Sequence, residues 1–491
     1  MKKQFGKFHK IPAAGLAVLL LCCTLSAGCG KYEQTAPLPE PTSELPQGTE
    51  SSESAALPEA TESAGEAAPE DQAGAFCFDP DLSWFVYSDK MIFVDEDQAR
   101  EQGRGLLTLQ VSGSDSRIKN SVDYFNSHND DYYIVLQSID YGEALGTCRE
   151  LTLVELNAGR GPDIFIGDTF LTVTQSIMDQ GILMDLAPLL DVLEVTDDKY
   201  FPATRALTDG THVYGFVPYV IPYSYCILES VLGGREQPDI ETLVDRLYNY
   251  PDQTAVWWPG APYYLVLDYL LSGSENLRGT IDWEAGRCDF SGEFFAKVLE
   301  VAKRYGDPGS NGQTAVVYRY EPGRDSREEL ESEGKVILDY PFDDGWYPYC
   351  RSSYTLMVNA NTNYPEGVQE FIKFLLGPIG QTYFADPGSS LPVNREMAAS
   401  YKAWELKENQ EGKSHKFRLK DGVSVEFALT EELIDELMDY ADRARYLPLK
   451  TGEIMSIINE EAYLFFTGDK PLEMVIDLIQ NRVQLYLDEH K

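Results

Sequence analysis

Positive charge is scarce in this 491-residue chain. Lysine and arginine together number 40, against 80 aspartates and glutamates, so the formal net charge is −40 at pH 7. A charge of that sign repels nucleic-acid backbones and anionic lipid headgroups. We therefore expect no nucleic-acid partner.

Histidine and the short motifs of common enzymes are also lacking. The five histidines show no H-E-x-x-H or other metal-ligand spacing, and the chain has no G-x-S-x-G elbow, Walker A loop or EF-hand loop. We expect no enzymatic activity, no cofactor and no metal. A glycosidase with two carboxylates stays open as the enzyme alternative, because the separation of acidic residues in space is invisible in a sequence.

Cysteine pairs are missing too. Of eight cysteines, three lie within the first 29 residues, and the rest are widely spread with no C-x-x-C spacing. One or two disulfides would fit an exported chain, but we expect small buried thiols. The residues concerned are Cys77, Cys148, Cys226, Cys288 and Cys350.

The first ten residues include four lysines, and an uncharged run follows from Ile11 to Cys29. This is the layout of a secretory signal. A permanent membrane helix is the alternative, since about 20 apolar residues span a bilayer, but Pro12 and Gly15 interrupt the run. The run ends in LSAGC (25–29), which resembles the lipobox of bacterial lipoproteins. That resemblance implies that residues 1–28 are a lipoprotein signal peptide. It also implies that Cys29 carries acyl chains such as palmitate, two or more of which anchor a protein firmly to a membrane.

A proline-, glutamate- and serine-rich segment follows, in which Lys31 is the only base. Residues 29–75 thus contain the lipidated cysteine and an acidic linker that buries too little apolar surface to fold. As a coil it would reach about 40 Å from the membrane. Residues 76–105 form a short preface with a strand-like pattern at 83–94.

From Leu106 onward, strands and helices alternate, which favours an α/β fold with a mostly parallel sheet. In such sheets ligands bind beyond the carboxyl ends of the strands. A proline-punctuated, β-rich stretch at 211–228 has the pattern of a passage between two lobes. The predicted elements are a strand at 106–111, a helix at 117–129, a strand at 132–139, a strand at 163–166 and helices opening at Pro365 and Pro471.

These segments, in this order, resemble the extracellular solute-binding proteins of ABC transporters, in the group that binds sugars and oligosaccharides. The resemblance implies a two-lobed periplasmic-binding-protein-like fold of type II, with hinge-linked lobes and a helical C-terminal region. Lobe 1 would begin at 106–218, lobe 2 would cover 219–345, and 346–491 would return to lobe 1 and add the C-terminal helices. The segments that carry the resemblance are AGRGPDIFI (158–166), GILMDLAPLL (181–190), DGTHVYGFVPY (209–219), CDFSGEFFAKVLEVAKRYG (288–306), PEGVQEFIKFLLGPIGQ (365–381), LPVN (391–394) and IINEEAYLFFTGDK (457–470).

The sequence departs from the family pattern in two places. The usual tyrosine-asparagine-lysine after the crossing strand is replaced by CILE (226–229), and the preface at 76–105 precedes the first lobe. Both departures leave the class of ligand open.

A sugar receptor needs aromatic platforms for flat C–H faces, and carboxylate or amide partners for hydroxyls. Trp257 and Trp258 precede a proline-rich turn, and two adjacent tryptophans rarely both enter one core, so one is a platform candidate. Asp344 and Trp346 follow a predicted strand and offer an acceptor and a ring. For each of these four, packing or a surface loop is the alternative.

Further candidates lie at predicted strand ends and on the crossing segment. Asp168 and Ser114 could bind ligand hydroxyls or simply cap helices, and Tyr219 lies where hinge and cleft would meet. Asp163 is predicted to be structural. Ser390, like its neighbour Ser389, could face the cleft or turn the chain.

The residues and the resemblance together predict a monomeric protein on the outer face of the membrane of a bacterium with a single membrane, hence Gram-positive. It would deliver a carbohydrate, as an oligosaccharide, to the permease subunits of an ABC importer. A tethered sensor that presents its ligand to a receptor would share this fold and stays open.

Overall fold

The computed structural model describes residues 94–112, 116–139, 152–166, 178, 180–251, 262–306, 319–320, 322, 327–350, 355–385, 390–413, 415–418 and 424–490. The signal, the lipobox cysteine and the linker therefore lie outside the described residues. The helices are α1 Glu96–Glu101, α2 Ser116–His128, α3 Ala187–Val192, α4 Glu229–Leu232, α5 Ile240–Asn249, α6 Tyr263–Leu271, α7 Glu293–Tyr305, α8 Arg327–Ser332, α9 Pro365–Leu376, α10 Pro378–Thr382, α11 Arg395–Gln410, α12 Glu431–Arg443, α13 Gly452–Phe466 and α14 Leu472–Glu489.

Two further helical turns of the 3₁₀ type cover Pro202–Thr204 and Leu449–Thr451. The strands are β1 Gly105–Ser112, β2 Tyr132–Ile139, β3 Ile164–Ile166, β4 Arg205–Thr208, β5 Val213–Phe216, β6 Tyr219–Val220, β7 Pro222–Leu228, β8 Ile281–Asp282, β9 Arg287–Cys288, β10 Arg319–Tyr320, β11 Lys335–Leu338, β12 Tyr340–Phe342, β13 Gly345–Tyr347, β14 Tyr349–Cys350, β15 Leu356–Val358, β16 Leu391–Pro392, β17 His415–Arg418 and β18 Ser424–Phe427.

The first core packs on one face of a six-stranded sheet in the order β2-β1-β3-β15-β5-β4, and a smaller cluster that includes Phe165 and Met357 packs on the other face. Strands β1, β2 and β3 run parallel, whereas β15 returns from far along the chain and inserts antiparallel between β3 and β5. The buried face of α2, formed by Ile118, Val122 and Phe125, packs into this core, as its 3.6-residue spacing predicts. The predicted strand at 132–139 is confirmed with the same bounds. The predicted strands at 106–111 and 163–166 are confirmed to within one residue at each end.

The second core lies on one face of a small sheet in which β7 pairs with β10, β11 and β14. Alternate residues of β7 point to opposite faces. Tyr223, Tyr225 and Ile227 enter the second core, while Cys226 packs with Tyr320 in a smaller cluster on the other side. Helices α5, α6 and α7 pack their apolar sides on the face of the sheet that carries Tyr223, Tyr225 and Ile227.

Within the described residues, the chain passes between the two cores three times. Val220 belongs to the first core and Tyr223 to the second; Tyr340 and Cys350 mark the return, and Ala444 precedes the last passage. The segment at 211–228 therefore runs from the first core into the second. Two hydrophobic cores joined by crossing strands, with a mixed sheet in the first, agree with the predicted two-lobed α/β fold class.

The C-terminal part of the chain divides between the two cores. Residues 355–385 and 390–413 return to the first lobe, as expected, and so do the apolar residues of α12. Helices α13 and α14 instead pack on the second core, through residues such as Ile458, Val475 and Ile479. Their apolar stripes are as predicted, but a stripe identifies a buried face and not the core that buries it.

The preface is described only from Val94 onward. Most of the strand-like pattern at 83–94 lies outside the described residues. Residues Glu96–Glu101 form helix α1, whose first turn is closed by a capping box between Asp95 and Gln98.

Three cysteines fall in the described residues, and all three are free thiols. Cys226 and Cys350 are buried and Cys288 is half-buried. Burial raises the pKa of the Cys350 thiol to about 12, so at neutral pH it is protonated and inert. Cys77 and Cys148 lie outside the described residues.

Among the described helices, none combines the length and the apolar composition that crossing a bilayer would require.

Candidate functional site

The carboxyl ends of three parallel strands meet at one edge of the first sheet. Ser112 ends β1, Ile139 ends β2 and Ile166 ends β3. This is the edge at which α/β sheets bind ligands. The predicted residues Ser114 and Asp168 directly follow two of these strand ends but lie outside the described residues, and both stay predictions.

Asp163 fixes the strands behind that edge. Its carboxylate accepts hydrogen bonds from the Thr108 backbone N–H at 2.8 Å, the Thr108 hydroxyl at 2.9 Å and the Thr362 hydroxyl at 2.7 Å. These bonds join β1 and β3 to the segment after β15. Asp163 is structural, as predicted.

The three passages between the cores are hydrogen-bonded to one another. Tyr349 and Cys350 of β14 pair antiparallel with Tyr223 and Pro222 of β7. On the other side, the Cys350 backbone N–H donates to the Arg445 carbonyl at 2.8 Å. We call this set, Pro222–Tyr223, Tyr349–Cys350 and Arg445, the hinge band.

Tyr219 lies just before the hinge band, as the sequence predicts, but its ring is 4% exposed. The ring stacks on Phe384 with centroids 5.6 Å apart. The Arg117 guanidinium lies 4.6 Å from its centroid and donates to its hydroxyl at 3.2 Å. Because Tyr219 is almost wholly buried, a ligand could contact only its hydroxyl end. A contact between Tyr219 and the ligand stays a prediction.

Arg117 stands one residue into α2, immediately after the carboxyl end of β1. It therefore links the ligand edge of the first sheet to the crossing segment. The sequence analysis missed it, because a lone arginine at the start of a helix is an ordinary surface pattern. The available signal was its position directly after a strand end, in a chain poor in bases.

Asp344 and Trp346 lie on the hairpin formed by β12 and β13. Asp344 is in the turn, and its two carboxylate oxygens accept from Arg445 Nη1 at 2.7 and 2.9 Å. That ion pair lowers the pKa of Asp344. The side chain remains 61% exposed, so it can still accept from a ligand hydroxyl.

Trp346 is half-buried and packs against the second core. Asp343 connects the hairpin to the residues that follow α6. Its carboxylate accepts a hydrogen bond from the Glu275 backbone N–H at 3.0 Å and one from Arg278 Nη1 at 3.4 Å. A platform role for Trp346 stays a prediction, and it would involve only the exposed part of the ring.

Arg445 joins the hairpin to the hinge band. Its guanidinium lies 3.4 Å from the Tyr347 ring centroid while it holds Asp344. It is the second site residue that the sequence analysis missed. Arg443 is the last residue of α12 and Arg445 lies just beyond the helix, but nothing in the run DRARYLP indicates which arginine faces the hairpin.

Beneath the hairpin, tyrosines of the second core pack edge to face. The rings of Tyr225 and Tyr269 lie 5.1 Å apart at 86°, and the hydroxyls of Tyr225 and Tyr340 are 2.9 Å apart. We call Tyr223, Tyr225, Tyr269, Tyr340 and Tyr349 the tyrosine cluster. It is mostly buried, so it supports the hairpin and does not offer ring faces to a ligand.

Trp257 and Trp258 lie outside the described residues, between α5 and α6. Their platform role stays a prediction, as does the lipidation of Cys29. Ser390 is buried, and its hydroxyl donates to the Phe384 carbonyl at 2.9 Å, which fits the turn interpretation. Within the described ranges, no three histidine, cysteine, aspartate or glutamate side chains converge as a metal site would need.

Comparison with known proteins gives structural likeness only. No family model matches the chain, and no curated protein matches it. Among solved structures, the sugar-binding protein MalE from Xanthomonas citri is similar with a TM-score of 0.49 and 16% identity, over 78% of this chain and 98% of that one.

Two other solved structures are similar to the same extent. An ABC transporter solute-binding protein from Thermotoga lettingae, bound to α-D-tagatose, has a TM-score of 0.48 and 12% identity, over 78% of this chain and 100% of that one. The GacH receptor of Streptomyces glaucescens has a TM-score of 0.47 and 12% identity, over 79% and 100%. At these scores and identities the likeness transfers neither a ligand nor a residue role to this chain.

Proposed function

We propose that this chain is a lipid-anchored, extracellular solute-binding protein that captures a carbohydrate between two lobes and delivers it to an ABC importer. The observation that carries the proposal is the hinge band. It joins two separately built cores by short hydrogen-bonded crossings, so the lobes can rotate without disturbing either core.

The proposed cleft lies where the two lobes face each other near this band. The first lobe contributes the strand ends at Ser112, Ile139 and Ile166, with Arg117 beside them. The second lobe contributes the hairpin with Asp344 and Trp346. Carboxylates, an arginine and partly exposed rings are the groups that hydrogen-bond and stack on a sugar.

Binding would involve no bond-making chemistry. A sugar that contacts both lobes has more partners in the closed form than in the open form, so it shifts the equilibrium toward closure. The cysteine at position 29 would keep the protein at the outer membrane face, and the acidic linker would let the lobes reach a permease.

A thermal-shift screen of the full-length protein, in a detergent without a sugar headgroup, tests the ligand class. The ligands are mono- and oligosaccharides, peptides and polyamines. A true ligand at 100 times its dissociation constant should add about 2.7 kcal/mol to the free energy of unfolding. Stabilisation by a peptide or polyamine alone would contradict the carbohydrate assignment, and turnover of a sugar would favour a glycosidase.

Replacing both Trp257 and Trp258 with alanine tests the platform. We expect the affinity for the stabilising sugar to fall at least tenfold, with an unchanged unfolding midpoint, because stacking on an aromatic face would be lost. Trp283→Ala is the matched control, since it removes a tryptophan that donates to Glu275 O elsewhere in the second lobe. Equal affinity of the double variant and the parent, measured by calorimetry, would retire the assignment.

Cys29→Ser tests the anchor. Metabolic labelling with an alkyne analogue of palmitate should mark the parent and leave the variant unlabelled. Labelling of both would show that Cys29 is not the acylated residue.

A further inference from the structure

A pocket of about 510 Å³ opens on the outside of the first lobe. It lies between the end of α2, the residues after α3 and the end of α9. Its size falls in the range of about 300 to 1,000 Å³ that is typical of small-molecule sites. We call it the outer pocket.

The outer pocket is far from the proposed cleft. Helix α2 starts at Ser116, after the carboxyl end of β1, and finishes at His128, before the amino end of β2. At 1.5 Å per residue it spans about 20 Å. Residues at the His128 end of α2 line the outer pocket. The pocket therefore lies at the opposite edge of the sheet from the cleft residues.

Aromatic rings in the outer pocket form a stepped series. The Tyr124 ring lies 4.0 Å from His128 at an interplanar angle of 12°, and 5.7 Å from Phe374 at 5°. At 5.7 Å the two nearly parallel rings are offset from each other, and both Tyr124 and Phe374 are partly exposed. Leu193 and Ile379 add apolar surface beside them.

The rim of the pocket is polar and carries both signs of charge. Lys373 and Glu370 lie 3.9 Å apart, and the Tyr200 hydroxyl donates to Leu376 O at 3.3 Å. Asn129 uses its side-chain oxygen to accept from two backbone N–H groups, which leaves its amide nitrogen as a further donor. The rim therefore offers donors and acceptors without a net charge that would favour a phosphate or a polyamine.

We propose that the outer pocket is a second carbohydrate site, which binds one or two neutral sugar rings on the Tyr124–Phe374 step. Aligned rings match the C–H face of a pyranose, and the neutral polar rim matches its hydroxyls. The apolar residues of the pocket, such as Tyr124, Phe374 and Ile379, pack against the first core and do not belong to the second. Occupancy of this site therefore does not require the lobes to close.

Photocrosslinking of the full-length protein, in a detergent without a sugar headgroup, tests the proposal. The probes are diazirine derivatives of glucose, maltose and cellobiose, and the crosslinked residues are mapped by mass spectrometry. We expect crosslinks within 124–129 and 370–379 that excess unmodified sugar suppresses. Absence of crosslinks from both segments with all three probes would overturn the proposal.

Variants distinguish a built site from casual contact. Tyr124→Ala should lower the crosslinking of these segments at least fivefold, while Tyr124→Phe should retain it because the ring remains. Tyr248→Ala removes a tyrosine that is 40% exposed on α5 and serves as the matched control. If Tyr124→Ala fails to fold, His128→Ala, at an exposed position, should still lower crosslinking at least threefold. Unchanged crosslinking in the folded variants would overturn the proposal.

The map also separates this inference from the proposed function. Crosslinks at the outer pocket that persist in the Trp257→Ala/Trp258→Ala variant would support the second site whether or not the cleft binds sugar. Crosslinks confined to the hinge band and the hairpin would support the cleft and contradict the outer pocket.

Discussion

Two groups of aromatic residues, one in each lobe, differ in how much of them is exposed. In the first lobe, Tyr124 and Phe374 are partly exposed at the outer pocket, with an exposed histidine stacked beside them. In the second lobe, Tyr225, Tyr269 and Tyr340 are buried and bond to one another or to the backbone. A high aromatic content therefore does not by itself indicate ligand platforms, because rings that satisfy each other serve the core.

The largest expected effect in this comparison is at the tyrosine cluster. Tyr269 is fully buried, and its hydroxyl donates to Asp339 O at 2.7 Å. Tyr269→Ala should lower the free energy of unfolding by about 3 to 5 kcal/mol, because it leaves a cavity among packed rings. Tyr269→Phe should cost about 1 kcal/mol, for the lost hydrogen bond alone.

Chemical denaturation measures both changes. Comparable small losses for the two variants would mean that the cluster tolerates a cavity. The contrast between the tightly packed tyrosine cluster and the partly exposed rings of the outer pocket would then be wrong.

A second test concerns Asp268, an acid set into the second lobe on α6. Burial raises its pKa to about 6. Well below pH 4 the carboxyl is protonated in both the folded and the unfolded states, so its ionisation does not affect stability. As the pH rises from about 4 to 6, the unfolded chain releases the proton first, so the stability falls; above pH 6 the loss is constant.

Asp268→Asn should therefore be more stable than the parent by about 1 to 3 kcal/mol above pH 6, and the difference should shrink to a small fraction of that near pH 4. Unfolding midpoints of both proteins across pH 4 to 8 measure it. The difference between the variants is informative because other carboxylates titrate equally in both. A difference independent of pH would show that the Asp268 carboxylate is not the cause.

The smallest expected effect is at the exposed pair of Asp344 and Arg445. Arg445→Ala should change the free energy of unfolding by about 1 kcal/mol or less, because the pair faces solvent and is screened. Arg445→Lys should keep the charge but lose the planar contact with Tyr347. Chemical unfolding of both variants in 0.05 M and 1 M NaCl measures these changes. If Arg445→Ala lowered the free energy of unfolding by several kcal/mol, the pair would support the hinge band as strongly as a core contact.

Local patterns predicted much of the first lobe. Strand β1 and helix α2 follow from alternating and 3.6-residue apolar spacing, and Pro365 and Gly377 mark the ends of α9. The ends of such elements depend on neighbours in the chain, so their signals are complete in a short stretch of sequence. The structural role of Asp163 was also predicted, from its place in a Gly-Pro-Asp turn, but the turn does not indicate its distant partners Thr108 and Thr362.

Residues around the hinge band could be predicted only in part. Tyr219 was identified by its place on the crossing segment, but its burial under Phe384 and Arg117 depends on chain segments far away in sequence. Arg445 meets Asp344 across about a hundred positions. No local pattern records such a meeting, because either partner would look like an ordinary surface charge.

The sequence by itself determined the α/β fold class, the acidic charge and the apolar stripes of its helices, because composition and periodicity fix which face of an element must be buried. Only the tertiary structure decided which core receives each stripe. Helices α13 and α14 pack on the second core although they follow the return to the first. The choice between two apolar surfaces depends on the shapes that distant segments form together, and those shapes exist only after the chain has folded.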